Sequence, residues 1–383
     1  MSDLVAAEAI DHLYGQLSHS LGSFQKQHHE ADRLKALKAA QGPTQVMCVR
    51  IAIDMGIFVT LTERNRPVPL AELAAPRGAS PILAERVLRV LAGIGYVSEC
   101  GERTYAPTAM TRQMTVRLSI VMMMFIIFDV GMPTLAKVPE FLRRIDFHNP
   151  EGPTTGALQF VERTDKVIWD WIPGHPDYME SCNTFKEGDR GSRPSWLEWF
   201  PVQERLLDGA CTEGDGAVLM VDVAGGRGHD LAAFAAKFPD VEGRLLLEDL
   251  PRVLEESSVD ATWIEKLPFD LFKPQPLHAA RVYYMKFILH DWSDEDNQRI
   301  LQQLAGAMQK GYSKLIIEEF VLADRDCAML QAMWDWEMLV FCNSMERSQA
   351  QWTRLLESAG FRVMKFWSPP GDGQGIIEAE VKE

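Results

Sequence analysis

The chain has 383 residues, of which 46% are hydrophobic, and a formal net charge of −15 at pH 7. Its length fits two or three domains with sizeable cores, and its composition excludes a largely disordered chain. The negative charge disfavours a surface that neutralises phosphates, so we expect no nucleic-acid partner.

The cysteines and the apolar runs favour a cytoplasmic protein without a membrane partner. The six cysteines form no CxxC pair and no Cys/His cluster at metal-ligand spacing, which indicates reduced thiols and predicts no metal. Residues 1–10 include acidic side chains and no basic segment of the kind that opens a signal peptide. The longest apolar run, 118–128, is well short of the ~20 residues of a membrane helix, and we interpret it as a buried helix.

Residues 1–110 are predicted to form a mostly helical, winged-helix-like domain. Apolar periodicity predicts a helix over 45–58, a short helix follows Pro67, and another begins at Ser80. A hairpin over 101–105 completes the arrangement. The apolar faces of the first and third helices are predicted to consist of Met47, Ile51 and Met55, and of Leu83, Val87, Leu88 and Leu91.

Winged helices are common in DNA-binding proteins, so that function needs to be weighed. The third helix carries Glu85 beside Arg86 and Arg89, and the whole chain is acidic. Both features argue against a face that binds phosphates. We therefore interpret residues 1–110 as a domain for dimerisation or for covering a substrate.

Residues 111–205 are predicted to be a helical connector, interrupted by Pro/Gly-rich stretches such as 149–153 and 173–176. The segment is rich in methionine and phenylalanine, and methionine adapts to irregular gaps and to flat apolar ligands. Two interpretations stay open, an ordinary core and the wall of a substrate pocket. The side chains concerned are Met122, Met123, Met124, Phe125, Phe128 and Met132.

Residues 206–383 alternate between short apolar runs and helical or turn segments. The runs at 218–223, 244–249, 281–286 and 314–319 are predicted strands. Alternation of this kind indicates a parallel sheet with helices on both faces. The predicted fold class is therefore α/β, with a Rossmann-like, doubly wound sheet after an N-terminal winged-helix-like domain.

A glycine-rich turn follows the first of these strands. Asp222-Val-Ala-Gly-Gly-Arg-Gly-His leads directly into a helix, the context in which glycines let a ligand approach the backbone closely. Asp249 follows the next strand, where a carboxylate can bind both hydroxyls of a ribose. The compressed glycines and the carboxylate of Asp222 suit an ammonium and a sulfonium better than a pyrophosphate. This favours S-adenosylmethionine over a nicotinamide cofactor.

The third strand leads into Tyr284-Met-Lys-Phe-Ile-Leu-His-Asp-Trp-Ser-Asp-Glu-Asp, at the sheet edge where doubly wound folds bind ligands. With this motif the chain resembles the plant and fungal O-methyltransferases related to the caffeic acid O-methyltransferases, in which Leu-His-Asp-Trp precedes an Asp-Glu pair. The runs that begin at Arg50 and Arg86 resemble the dimerisation domain of that family, and 193–201 resembles the connector of its fungal branch. The resemblance implies an S-adenosylmethionine-dependent O-methyltransferase of secondary metabolism that works as a homodimer.

The resemblance also implies roles for single residues. It implies that His290 is the base that deprotonates the acceptor, with Glu319 and Glu346 on either side of it. The residues that match cofactor contacts are Asp222, Gly225, Gly226, Gly228, Asp249, Leu250, Asp270, Leu271 and Lys286. The residues expected to contact the acceptor are Phe128, Met132, Asp291, Trp334 and Met338.

Acid–base chemistry agrees with a histidine base. A phenol has a pKa near ~10, while a histidine with its usual pKa of ~6.5 is mostly unprotonated at neutral pH and able to take the phenol's proton. A carboxylate on the far ring nitrogen fixes the tautomer and stabilises the imidazolium. Because the sulfonium already carries a good leaving group, alignment of oxygen, methyl carbon and sulfur is the remaining task, and no metal is required.

Two residues depart from the family pattern, and two further reactions stay open. Ala224 replaces a glycine of the cofactor turn, which is tolerable at a negative φ, and Ser344 replaces a glycine two residues ahead of Glu346. One alternative is an enzyme that binds the cofactor without consuming it and catalyses dehydration or pericyclic chemistry. The other is methylation of a carboxyl, which is ionised above about pH 4 and needs no base. Aromatic, polyketide and indole-alkaloid acceptors all fit the sequence.

Overall fold

The computed structural model describes residues 32–115, 124–150, 152–175, 178–179, 181, 194–211, 216–259, 262–371 and 373–382. Contacts between residues divide the chain into two units, one that ends at Met124 and one that begins at Phe125. The predicted helix over 118–128 lies mostly outside the described residues. The predicted division into three parts, with boundaries at 110 and 205, stays a prediction.

The first unit consists of short helices and a small antiparallel sheet. Strand β1 (Val68–Pro69) pairs with β3 (Thr104–Pro107), which in turn pairs with β2 (Val97–Gly101). This confirms the predicted hairpin and the predicted mixture of helices and hairpin. The helices are Gly42–Asp54, Ile57–Arg64, Leu70–Ala74, Pro81–Gly93 and Ala109–Gln113, with a 3-10 turn at Ala75–Arg77.

The predicted apolar faces in this unit are partly wrong. Met47 and Leu83 are 39% and 48% exposed, whereas Ala52 and Ala84 are completely buried. The buried faces are therefore rotated from those expected of the large side chains, because the helices Gly42–Asp54 and Pro81–Gly93 contact each other and alanine allows helices to approach closely. The remaining predicted positions Met55, Val87, Leu88 and Leu91 are buried, and Ile51 is partly buried.

The second unit begins with a helical layer. Val130, Leu158 and Trp171 belong to one buried cluster and Val138 and Phe141 to another, and Phe341 packs against both clusters. The layer therefore packs against the long helix that carries Phe341. Its elements are a π-helical turn at Phe125–Gly131, helices Met132–Leu135, Val138–Arg144, Ala157–Glu162 and Ile168–Trp171, and a 3-10 turn at Ile172–Gly174. Helix Trp196–Trp199 and the π-helical turn Gln203–Leu207 follow, and their buried residues Trp196 and Leu206 join the core that contains Met220 and Phe234.

A seven-stranded sheet forms the core of the second unit, in the order β11-β12-β8-β7-β4-β5-β6. Strands β4 to β8 are parallel, and β12 runs antiparallel between β8 and β11. This confirms the Rossmann-like sheet with its four predicted strands and adds three others. The strands are β4 (Val218–Val223), β5 (Arg244–Asp249), β6 (Ile264–Pro268), β7 (Val282–Lys286), β8 (Lys314–Glu319), β11 (Phe361–Trp367) and β12 (Gly375–Val381), and β9 (Val321–Leu322) pairs separately with β10 (Arg347–Ser348).

Helices cover both faces of this sheet. Alternate residues of β4 enter different cores, Val221 with Leu301 and Trp352 on one face and Met220 with Phe234 on the other. The chain moves outwards from β4 to β5 and β6, and then returns to β7 on the other side of β4. The carboxyl ends of β4 and β7 therefore flank a switch point, where folds of this type bind ligands. The helices are His229–Lys237, Pro251–Glu256, Asp294–Ala307, Met329–Cys342 and Gln349–Ser358, with a 3-10 turn at Leu289–Asp291.

Among the described residues, no single helix has the length and apolar character needed to cross a membrane. One pair, Gly42–Asp54 with Ile57–Arg64, meets those criteria jointly by length and composition alone, and it bends by 64° at the break.

Candidate active site

The glycine-rich turn lies directly against Asp222 at the end of β4. A Cβ atom on Gly225 would lie 2.4 Å from the carboxyl carbon of Asp222, and one on Gly228 would lie 2.7 Å from Val259 and 2.8 Å from Leu247. Gly226 and Gly228 also have φ angles of 63° and 83°, which favour glycine. The sequence places glycine where the backbone approaches its neighbours most closely.

The backbone of Ala224 does not have the negative φ angle that an alanine was expected to require. Its φ is 57°, in the left-handed region, whereas an alanine at this position is comfortable only at negative φ. Phe287, at the end of β7, also has a positive φ, of 52°. Both residues line the same cleft, and backbone strain of this kind is concentrated at functional sites.

A small cleft lies next to the glycine turn, with a cavity volume of about 80 Å³. Its predicted cofactor residues include Asp222 and Lys286, whereas Asp249 and Asp270 are not part of its lining. The Lys286 ammonium lies 3.6 Å from Asp230 and 3.4 Å from Glu318. The full lining consists of Asp222, Ala224, Gly225, Gly226, Arg227, His229, Asp230, Val253, Lys286, Phe287 and Ile288.

The other predicted cofactor residues follow the next two strands. Asp249 accepts hydrogen bonds from the backbone N–H groups of Gly226 (2.8 Å) and Leu250 (2.7 Å), so it ties the end of β5 to the glycine turn. Asp270 lies beyond β6 and accepts from the N–H of Phe272 at 3.0 Å. Leu250 is 37% exposed, and Leu271 packs against the core of the sheet. The predicted cofactor residues therefore lie along the edge of the sheet formed by the carboxyl ends of its parallel strands.

His290 is buried between carboxylates. Its Nδ1 lies 2.8 Å from Oε1 of Glu346 and 3.5 Å from Oε2 of Glu319, and its Nε2 lies 3.5 Å from Oδ1 of Asp291. His290 is 7% exposed, and the two glutamates are almost completely buried. The structure thus brings the three predicted catalytic side chains together, and Ser344, whose hydroxyl donates to Trp292 at 2.7 Å, does not prevent this.

The turn that carries His290 is held by Glu319 and by two residues that the sequence did not single out. Oε1 of Glu319 accepts from the N–H groups of Ile288, Leu289 and His290, at 2.9, 3.1 and 3.4 Å. Buried Asn297 donates to the carbonyls of Leu289 (2.7 Å) and Trp292 (2.9 Å). Arg347, 1% exposed, donates to the same two carbonyls at 3.1 and 3.0 Å. Burial of a charged residue next to a motif depends on the fold, so Arg347 had no sequence signal beyond following Glu346 directly.

The acids around His290 change its pKa. Burial by itself lowers the pKa, but the charges of Glu319, Glu346 and Asp291 outweigh burial and raise the pKa of His290 to about 10. Burial raises the pKa of Glu319 to about 7, although the charge of His290 opposes this shift. The imidazole is therefore protonated at neutral pH in the ligand-free site. The expectation of an ordinary histidine pKa does not hold here, because that expectation ignored desolvated negative charge.

The same three side chains also satisfy the geometry of a metal site. One ligand atom from each of His290, Glu319 and Glu346 lies within 4.8 Å of the others. A divalent cation requires a deprotonated imidazole, whereas the hydrogen bond between Nδ1 and Glu346 accounts for this cluster without one. The expectation that the protein uses no metal stays a prediction.

The predicted acceptor residues lie in and around the turn of His290. Asp291 belongs to this turn, Trp334 and Met338 to the helix Met329–Cys342, and Phe128 and Met132 to the adjoining elements Phe125–Gly131 and Met132–Leu135. The helix Met329–Cys342 contacts both this turn and the segment Phe125–Gly131. Ring centroids of Trp334 and Phe320 are 6.0 Å apart, and Phe287 lies 5.9 Å from Phe320 and 5.2 Å from His290. Met338 is 8% exposed, and Phe128, Met132, Asp291 and Trp334 are partly buried.

Comparison with known proteins agrees with this architecture. A family model of the O-methyltransferase domain matches residues 210–362, and one of the O-methyltransferase dimerisation domain matches residues 37–117. The O-methyltransferase asqD from Emericella nidulans is 37% identical over 339 residues, which cover 88% of this chain and 87% of the relative. Further O-methyltransferases from Penicillium and Aspergillus species match over similar lengths.

Solved structures share the fold. A structure described as a pericyclic reaction enzyme is 25% identical, with a TM-score of 0.84, and the match covers 91% of this chain and 89% of that chain. LepI in complex with SAM is also 25% identical, with a TM-score of 0.83 and the same coverage. The chain belongs to the S-adenosylmethionine-dependent O-methyltransferases, in the group found in fungal secondary metabolism.

Proposed function

We propose that the protein transfers a methyl group from S-adenosylmethionine to a phenolic hydroxyl of a small aromatic, polyketide or alkaloid metabolite, with His290 as the base. The observation that carries the proposal is the 2.8 Å contact between Nδ1 of His290 and Glu346. It leaves Nε2 as the nitrogen that exchanges a proton with the acceptor. His290 also stacks on Phe287, a residue of the cleft beside the glycine turn.

The raised pKa of His290 supports this role. A phenol with a pKa near ~10 gives up its proton with little cost to a base of similar pKa. The proton moves from the phenolic oxygen to Nε2, and Glu346 stabilises the imidazolium from the other side of the ring. When bound, S-adenosylmethionine supplies an electrophilic methyl group, and its positive charge favours the neutral imidazole that the proton transfer requires.

The cleft residues fit the charge of the cofactor. Asp222 and Asp230 line it, and the ammonium of Lys286 lies within 4 Å of two carboxylates. We propose that 222–228 and Lys286 hold the methionine part of the cofactor and that Asp249 accepts the ribose hydroxyls. Asp270 and Leu271 would flank the adenine.

Product analysis with a panel of phenols tests the proposal. His290→Ala is expected to lose at least ~100-fold in turnover, the lower end of what general-base catalysis contributes, while it still binds S-adenosylhomocysteine. The exposed His278→Ala is the matched control. Turnover that persists after treatment with a chelator would support a reaction without a metal. Wild-type turnover by His290→Ala would contradict the role of His290 as the base and point to a carboxyl acceptor.

A second candidate reaction rests on the solved structure described as a pericyclic reaction enzyme. In this second candidate reaction of the present protein, the cofactor would remain intact and its charge would act on the substrate electrostatically. Mass spectrometry separates the two candidates, since methyl transfer produces one S-adenosylhomocysteine for each methylated product. Conversion of an acceptor without loss of S-adenosylmethionine would favour the second reaction.

We also propose that the protein works as a homodimer. The match of residues 37–117 to a dimerisation domain supports this assembly. Light scattering coupled to size-exclusion chromatography measures the mass directly, and a monomer at micromolar concentration would contradict the proposal.

A further inference from the structure

Glu337 is a partly buried glutamate whose carboxyl group has no polar partner among the described residues. Its Oε2 is inaccessible to solvent and makes no hydrogen bond there. Burial raises the pKa of Glu337 to about 7, and no charged neighbour contributes to the shift. A carboxylate in such surroundings costs stability unless something binds to it.

The fully buried glutamates of the described chain do have partners. Glu378 accepts from Arg205 at 2.6 Å, Glu248 from Gln275 at 2.8 Å, and Glu346 lies next to His290. Glu318 accepts from a tyrosine hydroxyl and Glu319 from backbone N–H groups. Each of these glutamates has at least one oxygen with a partner, although the second oxygens of Glu248, Glu319 and Glu346 are also buried without a hydrogen bond. Glu337 differs from them because neither of its oxygens has a hydrogen bond or an ion pair within the described residues.

The position of Glu337 on its helix places it with the predicted acceptor residues. Trp334, Met338 and Phe341 are three residues before, one after and four after it, so that all four side chains fall on one face about 100° wide. This helix contacts the turn of His290 and the segment Phe125–Gly131. Ring contacts from Trp334 to Phe320, from Phe320 to Phe287 and from Phe287 to His290 link this helix to the base.

We infer that Glu337 determines acceptor specificity by binding a protonated basic nitrogen of the acceptor, so that the substrate class is a phenol that also carries an amine. The inference rests on the proposed function and identifies its substrate class. The other side chains on this face of the helix, Trp334, Met338 and Phe341, carry no charge, and no charged neighbour shifts the pKa of Glu337. An ammonium on the acceptor would therefore be the charge that compensates the carboxylate. A charge-assisted hydrogen bond of this kind is about twice as strong as a neutral one.

Calorimetric binding of two phenols of the same skeleton tests the inference. Tyramine carries an ammonium, and 4-ethylphenol lacks it; both are titrated into the protein saturated with S-adenosylhomocysteine at pH 7. We expect the wild type to bind tyramine at least ~10-fold more tightly, as one charge-assisted hydrogen bond predicts. Titration in two buffers of different ionisation enthalpy should show that tyramine releases about half a proton, because Glu337 with a pKa of about 7 becomes fully ionised.

Glu337→Gln keeps the shape of the side chain and removes its charge. It is expected to abolish both the preference for tyramine and the proton release, while the affinity for 4-ethylphenol and the melting temperature stay at or above wild-type values. The exposed Glu255→Gln is the matched control and should retain the preference. A preference that survives in Glu337→Gln would overturn the inference, as would equal affinity or no binding of the two phenols in the wild type.

Binding is measured without turnover, which keeps the two proposals separable. A wild-type enzyme that prefers tyramine through Glu337 but transfers no methyl group would refute the proposed methyl transfer alone. One that methylates phenols without any preference for an amine would refute the role of Glu337 alone.

Discussion

At the scale of the residue, His290 is a strong base that is protonated in the ligand-free enzyme. Glu319 and Glu346 provide the negative charge that raises its pKa, and both come from segments beyond the motif that contains the histidine. The same charge that makes the imidazole a match for a phenol also keeps it protonated near neutral pH. The catalytic strength of the base and the fraction of enzyme that is ready to react therefore oppose each other.

The pH dependence of kcat/KM follows from this opposition. Because the reactive free enzyme needs a neutral imidazole and the pKa of His290 is about 10, kcat/KM for a phenol is expected to rise ~10-fold per pH unit between pH 7.5 and 9. The profile of kcat should rise at lower pH than that of kcat/KM, because the positive charge of bound S-adenosylmethionine lowers the pKa of His290. Glu346→Gln removes one negative charge and should move the kcat/KM profile to lower pH while it lowers the maximum rate. A flat profile between pH 7.5 and 9 would contradict the assignment.

Ala224 offers a second test at this scale. A non-glycine residue in the left-handed region costs roughly 1–2 kcal/mol, and the added freedom of glycine in the unfolded chain offsets about 0.4–1 kcal/mol. Ala224→Gly is therefore expected to stabilise the protein by up to about 1.5 kcal/mol in thermal unfolding. Ala232→Gly, in the helix His229–Lys237, should destabilise it by about 1 kcal/mol. Equal destabilisation by both variants would show that the turn of Ala224 is not strained.

At the scale of the element, the short turn Leu289–Asp291 depends on its surroundings. A single 3-10 turn has few internal hydrogen bonds, and here Glu319 caps its N–H groups while Asn297 and Arg347 satisfy the carbonyls that flank it. The orientation of His290 is thus fixed by side chains from β8, from the following helix and from β10.

Asn297→Ala should show how much this support contributes. It removes two hydrogen bonds from buried carbonyls, and we expect a loss of about 1–3 kcal/mol in unfolding free energy. It should also lower kcat more than it raises KM for the acceptor, because it displaces the base without touching the pocket. The exposed Gln302→Ala, on the same helix, is the control. Unchanged kcat in a folded Asn297→Ala protein would mean that Arg347 and Glu319 hold the turn without it.

At the scale of the whole molecule, the parts predicted from sequence are those with a local signal. Strands β4, β5, β7 and β8 are continuous apolar runs, because helices cover them on both faces. Strand β6 carries Glu265 and Lys266, and charged residues interrupt the apolar residues of β11 and β12. The hydrophobic pattern of these three strands therefore resembles that of an exposed loop. The motif residues were predictable because they directly follow strands. Glu337 and Arg347 were not, since burial of a charge within a helix or beside a loop is decided by elements distant in the chain.

Binding of the cofactor at the carboxyl edge of the sheet should also stabilise the folded protein. A ligand that binds only the folded protein stabilises it by about 2.7 kcal/mol at a concentration of 100 times its Kd. S-adenosylhomocysteine should therefore raise the melting temperature by several degrees. Asp249 connects β5 to the glycine turn, and Asp249→Asn removes the charge proposed to bind the ribose. If the affinity falls ~10-fold, the stabilisation at the same ligand concentration falls by about 1.4 kcal/mol. The exposed Asp240→Asn serves as control, and an undiminished shift in Asp249→Asn would exclude this carboxylate from the cofactor site.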